Sequence, residues 1–116
     1  MAFAIVDAVI QSLTANQAHE LISRGGIEII DVRDAGEWSA GHLPRARLVP
    51  LDQLRRNPAV ALTRDGVLFV CAAGIRSQAA ARIAVSHGLK AVYNLTGGTR
   101  GWVKAGFPLV DMSVAV

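Results

Sequence analysis

The sequence predicts an α/β domain built on a parallel sheet. Three short apolar runs, residues 27–32, Val67–Val70 and residues 91–95, read as strands covered on both faces. Stretches with helical capping and spacing separate them, as the crossovers between parallel strands require. A polar or glycine-rich segment lies at the end of each run: Asp31-Val32-Arg33, Cys71-Ala72-Ala73-Gly74-Ile75-Arg76 and Thr96-Gly97-Gly98. Ligands of parallel sheets bind beyond the carboxyl ends of the strands, so these three segments are where chemistry is expected.

Each element has its own warrant. Residues 6–10 read as an edge strand. Thr14 and Gln17 have the spacing of a capping box and start a helix over Ala15–Arg24, with Ala18, Leu21 and Ile22 on one face and Gly25-Gly26 at its end. The strand over residues 27–32 follows. Asp34 and Glu37 repeat the capping pattern for a short helix that passes Trp38 and stops at Gly41. Residues 47–49 form a short strand closed by Pro50, and residues 51–57 form one or two helical turns ended by Pro58. Val67–Val70 is the clearest strand, and Cys71 follows it directly. Residues 77–87 form an alanine-rich helix whose Ala79, Ala80, Ala81 and Ala84 permit close approach to a sheet. The strand at residues 91–95, the turn at Gly97-Gly98 and a helix over residues 99–105 complete the chain.

Composition narrows the function. The chain has 116 residues, 52% of them apolar and 18% charged, which suits one folded domain spanning residues 1–116 and argues against disorder. Twelve Lys+Arg against nine Asp+Glu leave a charge of +3. That excess is too small to indicate nucleic acid, and no basic run with interleaved aromatics accompanies it. It fits a small anionic substrate. No run is long enough for a membrane span, and the apolar start Met1–Val6 lacks a basic leader, so a cytoplasmic protein is expected. A single cysteine excludes an internal disulfide and a multi-cysteine zinc site. The three histidines, His19, His42 and His87, have no ligand spacing.

Cys71 reads either as a small buried hydrophobe or as a nucleophile. Its surroundings favour the second. A short loop that enters a helix can turn several N–H groups inward as a nest for an anion, and the helix N-terminus adds positive potential. Gly74 permits a backbone angle closed to other residues. Arg76 adds a full charge. An ordinary thiol with a pKa near ~8.5 is only about 3% ionised at pH 7. Bringing it to about 6.5 raises that to roughly three quarters and needs ~2.7 kcal/mol, within reach of a helix end and several charge-assisted hydrogen bonds. The same ring suits a persulfide or a bound oxyanion.

Asp31-Val32-Arg33-Asp34-Ala35-Gly36-Glu37-Trp38-Ser39-Ala40-Gly41-His42-Leu43-Pro44 and Cys71-Ala72-Ala73-Gly74-Ile75-Arg76-Ser77 resemble the motifs of single-domain rhodaneses. So does Asn94-Leu95-Thr96-Gly97-Gly98-Thr99-Arg100-Gly101-Trp102, continued by Lys104-Ala105-Gly106-Phe107-Pro108. The resemblance runs from about residue 14 to 110. It implies a five-stranded parallel sheet flanked by helices on both faces. It also implies a thiosulfate sulfurtransferase cycle with catalytic Cys71 and no metal or organic cofactor. In that cycle Cys71 takes the outer sulfur of a donor such as thiosulfate, becomes a persulfide, and yields the sulfur to cyanide or a thiol. Ala72, Ala73, Gly74, Ile75, Arg76 and Ser77 are then the substrate-binding residues. The other reading from a different class is a persulfide relay that serves a partner protein. It is motivated by the neutral Ala72-Ala73, where some thiosulfate-preferring relatives are basic. Some of those relatives also carry arginine where this chain has Glu37, which leaves the donor open. Phosphatase or arsenate-reductase-like chemistry on this fold uses Cys-x5-Arg, whereas the spacing here is Cys-x4-Arg.

The remaining polar residues read as support. Asp31 is expected to anchor a loop through backbone amides or to pair with Arg33, and a structural ion pair is the simpler reading. Arg33, Arg45, Arg47 and Arg100 are the cations available to add positive field. His42 reads as structural, because a persulfide cycle needs no strong base once the thiolate exists. His19 and His87 read as surface residues, and Trp38 and Trp102 as core.

Overall fold

A computed structural model describes residues 9–111 of the chain. It contains β1 (Ile10–Leu13), α1 (Ala15–Arg24), β2 (Glu28–Asp31), α2 (Ala35–Ala40), β3 (Arg47–Leu48), α3 (Leu51–Arg56) and α4 (Pro58–Ala61). These are followed by β4 (Val67–Val70), α5 (Ile75–Ser86), β5 (Val92–Leu95) and α6 (Gly98–Lys104). The five strands form one parallel sheet in the order β1-β5-β4-β2-β3. The central strand is β4, all four of whose residues are buried. The register sets Asp31 beside Val70 and Phe69 beside Asn94, so the ends of β2, β4 and β5 are level.

Side chains alternate across the sheet and split the core in two. Val67, Phe69, Ile30 and Val92 pack with Leu54 of α3, Ala61 of α4 and Ala80, Ala81 and Ala84 of α5. Leu68, Val70, Ile29 and Leu95 pack with Ala18 of α1, Trp102 of α6 and the loop residues Leu43 and Ala46. The three alanines of α5 are fully buried, and their small side chains let that helix lie close on the sheet. Ala79 is half-buried at the helix edge. The same alternation carries past β4 and places Cys71 on the α5 side. Among the described residues no helix is long and apolar enough to cross a membrane.

Both capping boxes form as the sequence predicts: Thr14 accepts from the Gln17 amide and Asp34 from the Glu37 amide. Three expectations shift. The edge strand is Ile10–Leu13 and overlaps the expected residues 6–10 only at Ile10; residues 6–8 lie outside the described part. Gln11 and Ser12, on opposite faces of this edge strand, are both exposed, which hides it from an apolar-run criterion. Pro58 opens a further helical turn at its first position, where its missing N–H is harmless. The alanine-rich helix begins at Ile75 and not at Ser77, because Gly74 in the left-handed region acts as its N-cap.

Asp31 and Arg33 form a buried ion pair, with contacts of 2.8 to 3.1 Å between guanidinium and carboxylate. Asp31 also accepts the Arg33 amide, and Arg33 donates to the Gly41 carbonyl at 2.7 Å. The pair therefore ties the end of β2 to the end of α2. His42 is 4% exposed; its Nδ1 lies 2.7 Å from the Trp38 carbonyl oxygen and its ring stacks on Trp38. Its backbone makes an antiparallel bridge to Val110. Trp102 is core, whereas Trp38 is half-buried and donates from Nε1 to the Ala46 carbonyl. His19 and His87 are exposed, and His19 stacks on Phe107.

Removing one member of a buried ion pair leaves the other charge uncompensated, at ~3–5 kcal/mol. Arg33→Ala is expected to lower unfolding free energy by about 3 kcal/mol in urea denaturation. A loss under about 1 kcal/mol would show that the pair contributes little to the fold.

Candidate active site

The segment from Cys71 to Ser77 turns from the end of β4 into α5. Its backbone has one conspicuous property: its carbonyl groups are taken by neighbours behind it. The Thr99 amide donates to the Cys71 carbonyl at 2.8 Å and the Arg100 amide to the Ala72 carbonyl at 3.2 Å. The Asn94 Nδ2 donates to the Gly74 carbonyl at 3.3 Å. The first two donors belong to the start of α6, whose early N–H groups have no partner inside their own helix. With its carbonyls held this way, the loop is free to point N–H groups the other way.

They point at sulfur. The Gly74 amide donates to Cys71 Sγ at 3.0 Å, and the amides of Ala73 and Ser77 also favour the charged sulfur. No side chain caps α5, so its first N–H groups remain available. Two glycines make the geometry possible. Gly74 has φ +97°, and a Cβ there would overlap the backbone of Thr96; Gly98 has φ +61°, and a Cβ there would overlap the carbonyls of Cys71 and Ala72. The Gly97-Gly98 turn is thus pressed against the loop, backbone to backbone.

The Ser77 Oγ lies 3.3 Å from Sγ and donates to Asn94 Oδ1 at 2.5 Å. Asn94 is oriented by its Nδ2, which donates to Gly74 and to Gln78 Oε1 at 2.9 Å. A protonated thiol can donate to Ser77 Oγ. Once the sulfur ionises, the single hydroxyl hydrogen has two acceptors, Asn94 and the thiolate. Cys71 itself is only 1% exposed and joins the apolar cluster of its sheet face. Burial pushes the thiol up, but the Ser77 hydroxyl and the amides of Ser77, Ala73 and Gly74 outweigh it, so the net shift is downward.

Arg76 is half-buried, and its Nη1 and Nη2 meet the two carboxylate oxygens of Glu37 at 2.8 and 3.1 Å. This bidentate pair brings Glu37 down to about 2; burial opposes the shift, and the Asp34 amide adds to it. Arg76 is raised, first by Glu37, with a smaller contribution from the Cys71 charge. Ala72 is half-buried, while Ala73 and Ile75 are exposed, Ile75 at 81%. An open cleft of about 590 Å³ runs along one flank, between Ser12, Ile75, Gln78, Asn94 and Thr96.

The three segments expected to converge do so unequally: Thr96-Gly97-Gly98 packs directly on the Cys71 loop, while of Asp31-Val32-Arg33 only Val32 approaches it, its amide donating to the Val70 carbonyl at 2.9 Å and its side chain sharing the apolar cluster of Cys71. Asp31 and Arg33 bond to each other and to Gly41, and their support is one step removed, through α2, which carries Glu37. Arg47 pairs with Glu28 and the Ala61 carbonyl, away from the loop. In the sequence Asn94 has a place in a resembling motif but no role at the sulfur, and Glu37 stands as a cap and a departure from some relatives without being paired to Arg76. Asn94 is a lone amide near the end of an apolar strand, a place where a buried polar side chain needs partners, and that was the available signal. Among the described residues no group of three or more His, Cys, Asp or Glu side chains is placed to hold a metal ion.

Comparison with known proteins gives a consistent picture. A profile of the rhodanese-like domain matches residues 14–105. Thiosulfate sulfurtransferase GlpE of Coxiella burnetii is 36% identical over 95 residues, 82% of this chain and 88% of that protein. The uncharacterised protein YqhL of Bacillus subtilis is 36% identical over 75 residues, 65% of this chain and 60% of that protein. The crystal structure of a rhodanese-related protein from Thermoplasma volcanium superposes with a TM-score of 0.76 at 31% identity, over 86% of this chain and 97% of the other.

Two titrations follow from the geometry. The pH midpoint of Cys71 alkylation is expected below the ordinary thiol value of ~8.5, and Ser77→Ala is expected to move it upward. A wild-type midpoint at or above that value would contradict the donor ring. For Glu37 the folded pKa lies below the unfolded one, so its pairing stabilises fully above 4.5 and is lost as pH falls through about 2. The stability gap between wild type and Glu37→Gln should therefore close across that window. A gap independent of pH would assign the effect to something other than the carboxylate charge.

Proposed function

Since this chain belongs to the rhodanese-like domain family, whose members include proteins named thiosulfate sulfurtransferase, we propose that it transfers a sulfane sulfur through a persulfide on Cys71. The observation that carries the reading is the setting of Sγ at the turn into α5, with the Gly74 amide donating to it at 3.0 Å and the Ser77 hydroxyl 3.3 Å away. Such donors stabilise a sulfur anion whether the charge sits on Cys71 or on a second sulfur attached to it.

The cycle has two displacements. The Cys71 thiolate attacks the outer sulfur of thiosulfate, the S–S bond breaks, and sulfite leaves with its electron pair. Cys71 then carries a persulfide anion. Cyanide or a thiolate attacks the terminal sulfur, the Cys71 S–S bond breaks, and the thiolate returns. Ala72, Ala73, Gly74, Ile75, Arg76 and Ser77 shape the pocket, mainly through their backbone. The 1% exposure of Cys71 requires a donor that presents a terminal sulfur end-on. Arg76 is engaged with Glu37, which leaves it a poor clamp for phosphate and argues against phosphatase chemistry.

A persulfide relay to a partner protein is the second reading. Ile75, exposed at the rim, and the cleft along its flank favour it, since a protein-borne thiol needs an apolar surface to rest on.

The decisive experiment is intact-protein mass spectrometry after incubation with thiosulfate, with peptide mapping. One added sulfur on Cys71 is expected, removed by cyanide and absent in Cys71→Ser. Equal thiocyanate production by wild type and Cys71→Ser would end the proposal.

A further inference from the structure

We propose that Glu37 sets the class of sulfur donor: it holds Arg76 in a neutral pair and so favours donors with at most one negative charge, such as organic persulfides, over doubly charged thiosulfate. This rests on the sulfur-transfer reading and narrows its substrate.

From Cys71 to Ser77 the only basic side chain is Arg76. Both of its terminal nitrogens are spent on the two oxygens of Glu37, at 2.8 and 3.1 Å. The guanidinium is thus matched by an equal and opposite charge, and its planar fork is occupied in the geometry that would otherwise grip an oxyanion. The two residues after the cysteine are alanines, and Ile75 presents an apolar side chain at 81% exposure. Two other cations that the sequence offered are likewise paired, Arg33 with Asp31 and Arg47 with Glu28.

Charge then separates the donors. Attack on thiosulfate gathers the thiolate and a dianion in one pocket, three negative charges in all. A set of neutral amides helps any anion, but a cation matched by Glu37 adds little for the extra two. Attack on a persulfide R–S–SH gathers only the thiolate and a neutral or singly charged donor. In that step Cys71 bonds to the outer sulfur, the R–S to sulfur bond breaks, and R–S⁻ departs with the electron pair. The proton stays on the transferred sulfur, so Cys71–S–SH forms with no oxidant or reductant required.

Glu37→Gln tests this cleanly, because glutamine at the third helical position preserves the capping box with Asp34 while removing the charge. Single-turnover loading of Cys71 is followed by mass spectrometry with two donors. One is thiosulfate; the other is the persulfide of N-acetylcysteine methyl ester, which carries no charge beyond its persulfide group. The ratio of the thiosulfate rate to the persulfide rate is expected to rise about tenfold in Glu37→Gln, the scale of one freed charge-assisted contact. The rise should vanish in the double variant Glu37→Gln/Arg76→Met. A purely structural role for Glu37 lowers both rates together and leaves the ratio unmoved, which would overturn the proposal. A rise that survives in the double variant would trace to another cation, such as Arg100, and would also overturn it. If neither donor loads the wild type, the sulfur-transfer reading itself falls, and the donor assignment with it.

Discussion

A turn of backbone has as many carbonyls as N–H groups, and both need partners. The loop after β4 can face a sulfur anion only because its carbonyls are bonded elsewhere. The start of α6 takes two of them and Asn94 takes a third. Remove that backing and the loop has no reason to present its amides to Cys71; carbonyls turned inward would repel the thiolate instead of holding it. The site is therefore a property of two strand ends at once: β4 supplies the sulfur, and β5 with its following turn supplies the frame. The close approach that makes this possible needs glycine at positions 74 and 98, where any Cβ would enter the opposite backbone.

Burial and donation then act on the sulfur in opposite senses. The thiol lies in an apolar cluster, which by itself favours the protonated form. The amides and the Ser77 hydroxyl favour the anion and prevail. The competition of Asn94 for the Ser77 hydrogen limits how far the hydroxyl can commit to the sulfur. Such a site holds a charged sulfur through dipoles more than through full charges. That suits the proposed persulfide cycle, since fixed dipoles serve both sulfur states without moving.

Charge management elsewhere follows the same economy. The buried Asp31–Arg33 pair and the half-exposed Glu37–Arg76 pair both converge on α2, one at each end. Asp31 and Arg33 hold the helix end at Gly41; Glu37, in its first turn, reaches across to the loop. A short helix of six residues is marginal alone. Its capping box and these two pairs position the one carboxylate that meets the loop's one guanidinium.

Local order was legible along the chain because its causes are local. The capping pairs Thr14/Gln17 and Asp34/Glu37, the four apolar residues of β4 and the cysteine before a glycine-containing turn each act over a few residues. Exposed polar residues mask the edge strand β1, and Pro58 reads in the sequence only as a stop although it also starts a turn. The amino-acid order by itself determined the alternation of strands and helices, the resemblance of three motifs, and the place of Cys71 at a strand end. Only the tertiary structure decided which polar groups meet there. It paired Asp31 with Arg33, brought in Asn94 from β5, and joined Glu37 to Arg76 across 39 positions. Hydrogen bonds and ion pairs are short-ranged in space but blind to distance along the chain, so their partners are set by strand order and register, which no local pattern encodes.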